Sequence, residues 1–322
     1  MENSKKLKNN LAIIDVPLNL LALKYAINNI EQVDVHTSEI IFSINDNTVL
    51  KKFFKSNFAE TEHLIHQNKS AYWLISKIIF SYRTRLNNLF VCDLGIKNKL
   101  LIFLMRYDNL FILDDGLASV CREQKTTRFM VSCSKSIFNI NGKRIINFLS
   151  LYKKIYKDQP GFFNIQLTQK AKSNSFHKKC IYIMSSATND GMSEDENELL
   201  TDKIKLFANS IKKDFLMIPH RRERDKFKKN NKYADYVITI DTIFEDFYLS
   251  SEFVDCTFVT LYSGAILCVH PSNERYYIRD YFTPKIEKTF INKILAKKIW
   301  DINILYDYFD ECKIKRLNHE IL

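Results

Sequence analysis

The sequence predicts an α/β protein of two domains, and three observations carry that prediction. Short apolar runs, such as residues 11–14 (Leu-Ala-Ile-Ile) and 180–184 (Cys-Ile-Tyr-Ile-Met), alternate with amphipathic stretches. That is the pattern of parallel strands buried on both faces and joined by helices. The chain has 322 residues, more than one ordinary core organises. Glycine (6) and proline (5) are scarce, which argues against long linkers and against collagen-like or low-complexity classes.

The remaining bulk numbers narrow the function. Hydrophobic residues make up 46% and aromatics 13%, enough to fill two cores. The net charge of +11 favours polyanionic partners: nucleotide phosphates, nucleic acid or an anionic membrane surface. Seven scattered cysteines contain no Cys-x-x-Cys pair. They make neither a zinc site nor a disulfide framework, so a reducing, cytoplasmic compartment is expected. Asp15 interrupts the first apolar run, and no apolar stretch is long enough to cross a bilayer.

Taken in order, residues 11–14 read as a buried first strand. Residues 18–29 follow as an amphipathic helix with Leu18, Leu21, Ala22, Tyr25 and Ala26 on its apolar face. Strands are expected at 39–43, 89–93 and 109–113, and helices at 71–82 and 97–106. The last of these strands ends in Asp114-Asp115-Gly116. Residues 142–154 read as a helix in an otherwise basic, poorly patterned stretch. The short polar segment 171–175 (Ala-Lys-Ser-Asn-Ser) marks the boundary, giving domains 1–174 and 175–322.

The second half opens with the strand at 180–184 and a loop carrying Asp190. Ser193-Glu-Asp-Glu196 matches a capping box. The helix it opens carries Leu200, Ile204, Phe207 and Ile211 on one face. Residues 215–218 return as the next strand, and Pro219, His220, Arg221, Arg222 and Glu223 follow at once. Further strands are expected at 236–240, 256–262 and 275–282, helices from 244 and over 286–308. Ser263-Gly-Ala-Ile266 follows a strand, where small residues let backbone amides approach an anion.

Candidate chemistry sits at these strand ends, because ligands of open α/β sheets bind at the carboxyl ends of strands. His220 offers a titratable ring, and Arg222 fixed positive charge, to a phosphate-bearing ligand. Asp115 and Asp190 offer carboxylates. Each has a plainer alternative. The Arg-rich stretch reads equally as a solvated basic turn, Asp115 as a turn or cap residue, and Gly264 as a packing glycine.

Three pieces together resemble the bacterial lipooligosaccharide sialyltransferases of glycosyltransferase family 52, which are related to bacterial polysialyltransferases. They are Asp114-Asp115-Gly116, Pro219-His220-Arg221-Arg222 and Tyr262-Ser263-Gly264-Ala265. They are similar to the family's acidic-Asp-Gly, His-Pro and Ser-rich motifs. The opening run 10–19 resembles the family's first strand and turn, with Asn19 at a usual glutamine. Phe244-Glu245-Asp246 resembles its acidic dipeptide. There are two departures: Arg221 replaces the proline after the histidine, and Asp190 falls about two residues late. A literal His270-Pro271 lies after the Ser-Gly-Ala element and reads as a helix end.

The resemblance implies a GT-B-like arrangement, two Rossmann-like domains facing across a cleft. Domain 1–174 would take the acceptor side and 175–322 the CMP-sugar. It implies inverting transfer of a sialic or related nonulosonic acid from its CMP-activated donor to a galactoside-terminated glycan of lipooligosaccharide or capsule. Asp190 or Asp115 would be the base, and His220 would assist the leaving phosphate. Pro219, Arg222, Glu245, Ser263 and Gly264 would hold the nucleotide, Glu245 at the ribose hydroxyls. No cofactor and no metal ion are expected. A homodimer and attachment to the inner face of the cytoplasmic membrane are further expectations. The competing reading is a basic nucleic-acid-binding module, supported by the cationic run 221–232 with Phe227 inside it. It leaves Asp114, Asp115 and Glu245 at strand ends unexplained, so no nucleic-acid partner is expected.

Overall fold

The computed structural model describes residues 10–14, 17–30, 38–42, 54, 65–66, 71–92, 101–113, 145–150, 162–165, 170–188, 190–221, 223–224, 227, 232–282 and 302–318. The chain divides into two compact units, 1–167 and 168–322.

In unit 1 the strands are β1 (Asn10–Ile14), β2 (Ser38–Phe42), β3 (Ile65–His66), β4 (Leu86–Cys92), β5 (Tyr107–Leu113), β6 (Ile145–Ser150) and β7 (Phe162–Asn164). They form one sheet in the order β3-β2-β1-β4-β5-β6-β7, and every pairing is parallel. The chain winds outward from β1 to β3, then returns beside β1 with β4. That reversal is a doubly wound switch point. Helices α1 (Pro17–Asn29) and α2 (Ala71–Thr84) connect the early strands.

The apolar runs explain the burial. Leu11, Ile13, Leu89, Val91, Leu110 and Ile112 form one core layer with Ile78 of α2 packed against it. The alternate residues Ala12, Ile14, Phe90 and Phe111 are buried too, as expected for strands covered on both faces. Phe90 and Phe111 stack in register with centroids 4.7 Å apart. Near the amino ends, Asn10, Asn88 and Asn109 pair across β1, β4 and β5. Asn88 Nδ2 donates to Asn10 Oδ1 (2.8 Å), and Asn109 Nδ2 donates to Asn88 Oδ1 (2.9 Å). A one-residue slip would break this ladder, so it helps fix register.

Unit 2 holds β8 (Asn174–His177), β9 (Lys179–Ile183), β10 (Asp214–Ile218), β11 (Ser251–Val254), β12 (Thr257–Thr260), β13 (Glu274–Ile278) and β14 (Lys315–Leu317). Its main sheet runs β10-β9-β12-β13-β14, and β8 pairs with β11 apart from it. All pairings are again parallel. Helix α3 (Glu194–Ser210) crosses from β9 to β10, and α4 (Phe244–Leu249) and α5 (Ile302–Glu311) follow. Both arms of the expected capping box are made: Ser193 Oγ accepts from Glu196 N–H (3.2 Å), and Glu196 Oε2 accepts from Ser193 N–H (2.9 Å).

Two expectations are corrected. Residues 142–154 do not form one helix, because 145–150 are strand β6 beside β5. A short apolar run cannot be assigned by periodicity alone, and here the neighbouring strand supplies the hydrogen bonds. Residues 236–240 form no strand. A 3-10 turn (Ala234–Tyr236) is followed by a single bridge, Val237 to Met217. The guanidinium of Arg224 takes the carbonyls of Ile240 (2.7 Å) and Thr242 (3.1 Å), acceptors a longer ladder would have used. The polar stretch 171–175 runs into β8. Of the helix expected over 286–308, residues 302–308 lie in α5, while 286–301 and the motif at 114–116 lie outside the described residues.

Candidate functional site

The switch point of unit 2 lies between β9 and β12, since the chain leaves β9 for β10 on one side and later returns with β12 on the other. Parallel sheets bind ligands at such a point, beyond the carboxyl ends of the strands. The loop after β9 (184–192) and the loop after β12 (261–263) meet there. Thr260 Oγ1 donates to the Ile183 carbonyl (2.8 Å) and accepts from Ser263 N–H (3.0 Å). Ser185 Oγ accepts from Tyr262 N–H (2.9 Å).

Asp190 joins this contact. Its Oδ2 accepts from Tyr262 Oη (2.6 Å) and from Ser186 Oγ (2.9 Å). Among the described residues, all its side-chain bonds fall on that one oxygen. The loop doubles back on itself: Asp190 N–H donates to the carbonyls of Ser186 and Ala187, both at 3.1 Å. Gly191 then turns the chain at φ 102°, a left-handed value that suits glycine, and Ser193 opens α3. Tyr262 is 3% exposed. Burial first, and then the carboxylate of Asp190, push its phenol well above the usual range. The phenol is therefore a donor at neutral pH.

The loop after β10 is tied to the same place. Pro219 is buried and His220 half-buried. Glu223 N–H donates to the His220 carbonyl (2.8 Å). The Glu223 side chain is wholly buried. Its Oε1 accepts from Thr188 N–H (3.1 Å) and Thr188 Oγ1 (2.6 Å). So the His220 turn is anchored to the loop that carries Asp190. Burial first, and Glu223 next, also raise the phenol of Tyr182 on β9.

Ser263 and buried Gly264 begin a 3-10 turn, Gly264–Cys268, rather than an α-helix. Helix α4, which carries Glu245 on its first turn, packs against that turn. Asp246 beside it is occupied, pairing with Lys170 and accepting from Thr242 Oγ1 (3.2 Å). His270 is exposed and bonded locally to Ser272 (2.8 Å).

The structure thus gathers Asp190, Pro219, His220, Ser263 and Gly264 along the carboxyl edge of one sheet, and Glu245 lies on the helix that packs against the Gly264 turn. Asp115 and Arg222 lie outside the described residues. Two partners escaped the sequence reading, Tyr262 and Glu223. Both stood inside the stretches already singled out, but their roles arise only from pairing with residues 72 and 35 positions away. Among the described residues, no three His, Cys, Asp or Glu side chains cluster closely enough to hold a metal ion.

The fold is similar to that of S. aureus MnaA in a co-structure with UDP. The TM-score is 0.51 at 10% identity, covering 94% of this chain and 91% of that one. Also similar are the UDP-GlcNAc 2-epimerase of Methanocaldococcus jannaschii in complex with UDP-GlcNAc and UDP (TM-score 0.49, 11% identity, 85% of this chain and 84% of that one) and the MurG of Acinetobacter baumannii (TM-score 0.45, 7% identity, 98% and 86%). No protein-family model and no curated protein sequence matches the chain. At such identities the likeness is one of fold: α/β of the GT-B class, with two Rossmann-like units.

Proposed function

We propose that the protein is an inverting glycosyltransferase that moves a sialic or related nonulosonic acid from its CMP-activated donor to a terminal galactoside of a lipooligosaccharide or capsular glycan. The observation that carries the proposal is the meeting of Asp190 with the Tyr262-Ser263-Gly264 turn at the β9–β12 switch point. It supports a nucleotide-sugar site at the carboxyl edge of unit 2.

In this reading the acceptor hydroxyl oxygen attacks the anomeric carbon, and the bond from that carbon to the CMP phosphate oxygen breaks. A carboxylate takes the hydroxyl proton; Asp190 and Asp115 are the two candidates. The transition state is oxocarbenium-like. The phosphate gains charge as it leaves, and His220 donates to it. Ser263 and the Gly264 amide stabilise the same oxygen. Pro219 and Arg222 shape and charge the phosphate side, and Glu245 accepts from the ribose hydroxyls. No metal ion is needed, because CMP is already a good leaving group. Contact with the inner face of an anionic membrane brings the enzyme to a lipid-linked acceptor; no helix among the described residues is long and apolar enough to cross one.

The UDP in the MnaA co-structure favours a second reading, a UDP-sugar donor. One assay separates them. The purified chain is incubated with a lactoside and either CMP-sialic acid or UDP-GlcNAc, with EDTA present. CMP release with sialylated product is expected from the first donor only, and turnover of UDP-GlcNAc alone would replace the proposal. His220→Ala is expected to lower kcat by about 10²–10³-fold with the fold intact. Of Asp190→Asn and Asp115→Asn, the one that abolishes kcat while CMP still binds identifies the base. If neither does, both assignments fail.

A further inference from the structure

Strand β10 lies at the edge of its sheet, so the sheet guides the chain beyond it from one side only. Met184 N–H donates to the Ile218 carbonyl (3.0 Å), and the turn carrying His220 starts there. Glu223 N–H closes that turn on the His220 carbonyl (2.8 Å). Two consecutive side chains then tie it to its neighbours. Glu223 Oε1 accepts from Thr188 N–H (3.1 Å) and Thr188 Oγ1 (2.6 Å), in the loop after β9. Arg224 turns the other way and donates to the carbonyls of Ile240 (2.7 Å) and Thr242 (3.1 Å).

The Glu223 arm reaches the site. Thr188 stands two residues before Asp190, in a loop closed by bonds from Asp190 N–H to Ser186 and Ala187. After burial and Asp190, the Glu223 charge is among those that raise the Tyr262 phenol, which places it close to the partner of Asp190. Glu223 is wholly buried. Burying a carboxylate is a poor route to stability, because desolvation offsets much of the gain. Its charge-assisted bonds are short and directional, and they fix the distance between two loops.

We infer that Glu223 is a positioning residue, which holds the turn bearing His220 in register with the loop bearing Asp190. On the transferase reading, on which this rests, both loops act on one sugar–phosphate bond. A shift of about 1 Å between them can cost about 10²-fold in rate, whereas donor binding is spread over many contacts. Thr188→Val, Glu223→Ala and Glu223→Gln are compared with the wild type for kcat, donor KM and CMP affinity by calorimetry. The donor is whichever of CMP-sialic acid and UDP-GlcNAc the wild type turns over.

Thr188→Val is expected to lower kcat about tenfold and Glu223→Ala about 10²-fold. Glu223→Gln keeps an acceptor oxygen and should return kcat to within about tenfold of wild type. In all three, KM and CMP affinity should stay within about threefold of wild type, the mark of an effect on the transition state alone. If Glu223→Ala does not fold, Thr188→Val decides. Wild-type kcat in Thr188→Val overturns the inference. So does a folded Glu223→Ala that Glu223→Gln does not better, or a loss of CMP affinity as large as the loss of kcat. Turnover of UDP-GlcNAc alone would replace the donor and leave these outcomes as they are. A wild type that binds neither CMP nor UDP overturns both readings.

Discussion

The phenol of Tyr262 lies 2.6 Å from Asp190 Oδ2, and burial keeps it protonated at working pH. Its hydrogen bond, with that of Ser186, holds one carboxylate oxygen in place. Tyr262→Phe keeps the ring's packing and removes only the donor. If Asp190 takes the acceptor proton, kcat should fall about tenfold to a hundredfold, while the KM for donor and the thermal midpoint change little. A lower melting temperature with kcat intact would assign the bond to loop packing instead. At this scale the sequence exposed the polar residues at strand ends, including Asp190, His220 and Ser263. It could not show which oxygen of Asp190 is held, or that Glu223, set among arginines, is buried against Thr188. Those facts come from tertiary pairing.

Elements with strong local signals were legible. The β9-α3-β10 unit was readable because a capping box and the apolar face of Leu200, Ile204 and Phe207 agree with each other. Strand β6 was read as helix because its apolar run has no decisive period. Strands β3, β11 and β14 are two to four residues long and leave almost no pattern. Their existence depends on a neighbour already in place.

The amino ends of unit 2's strands are tied electrostatically, away from the candidate site. Lys213 bonds Asp255 Oδ1 (2.9 Å) and Thr257 Oγ1 (3.0 Å), with Glu274 Oε2 at 4.0 Å. The Lys213 hydrogen bond, and then its charge, hold the Asp255 carboxyl below its ordinary value. Burial pulls Glu274 upward, but hydrogen bonds from Lys315 and Thr257 outweigh it and the net shift is down. Depressed carboxyls stabilise the fold above their ordinary values, 3.8 for Asp and 4.5 for Glu. That contribution fades as pH falls through the lowered values. Thermal melts should therefore be flat from about pH 7 to 5 and decline below about pH 4. Lys213→Met should melt lower at neutral pH and show a shallower acid decline. An identical decline in that variant would remove Lys213 from the explanation. Lys213 is mostly buried, but the Asp255 and Glu274 carboxylates reach solvent, so added salt should shrink the effect.

At the scale of the whole molecule, two parallel sheets follow from short, largely apolar strand runs alternating with helices, and the sequence made that class readable. Net charge indicated an anionic partner but not where one would meet the protein. The central claim is that the carboxyl edge of β10, β9 and β12 receives the nucleotide. Hydrogen-exchange mass spectrometry with and without CMP tests it most directly, because a bound ligand slows opening of the backbone it contacts. Slowed exchange is predicted in peptides covering 185–191, 218–223 and 261–266. Protection confined to residues 1–167, or none anywhere at saturating CMP, would contradict the account.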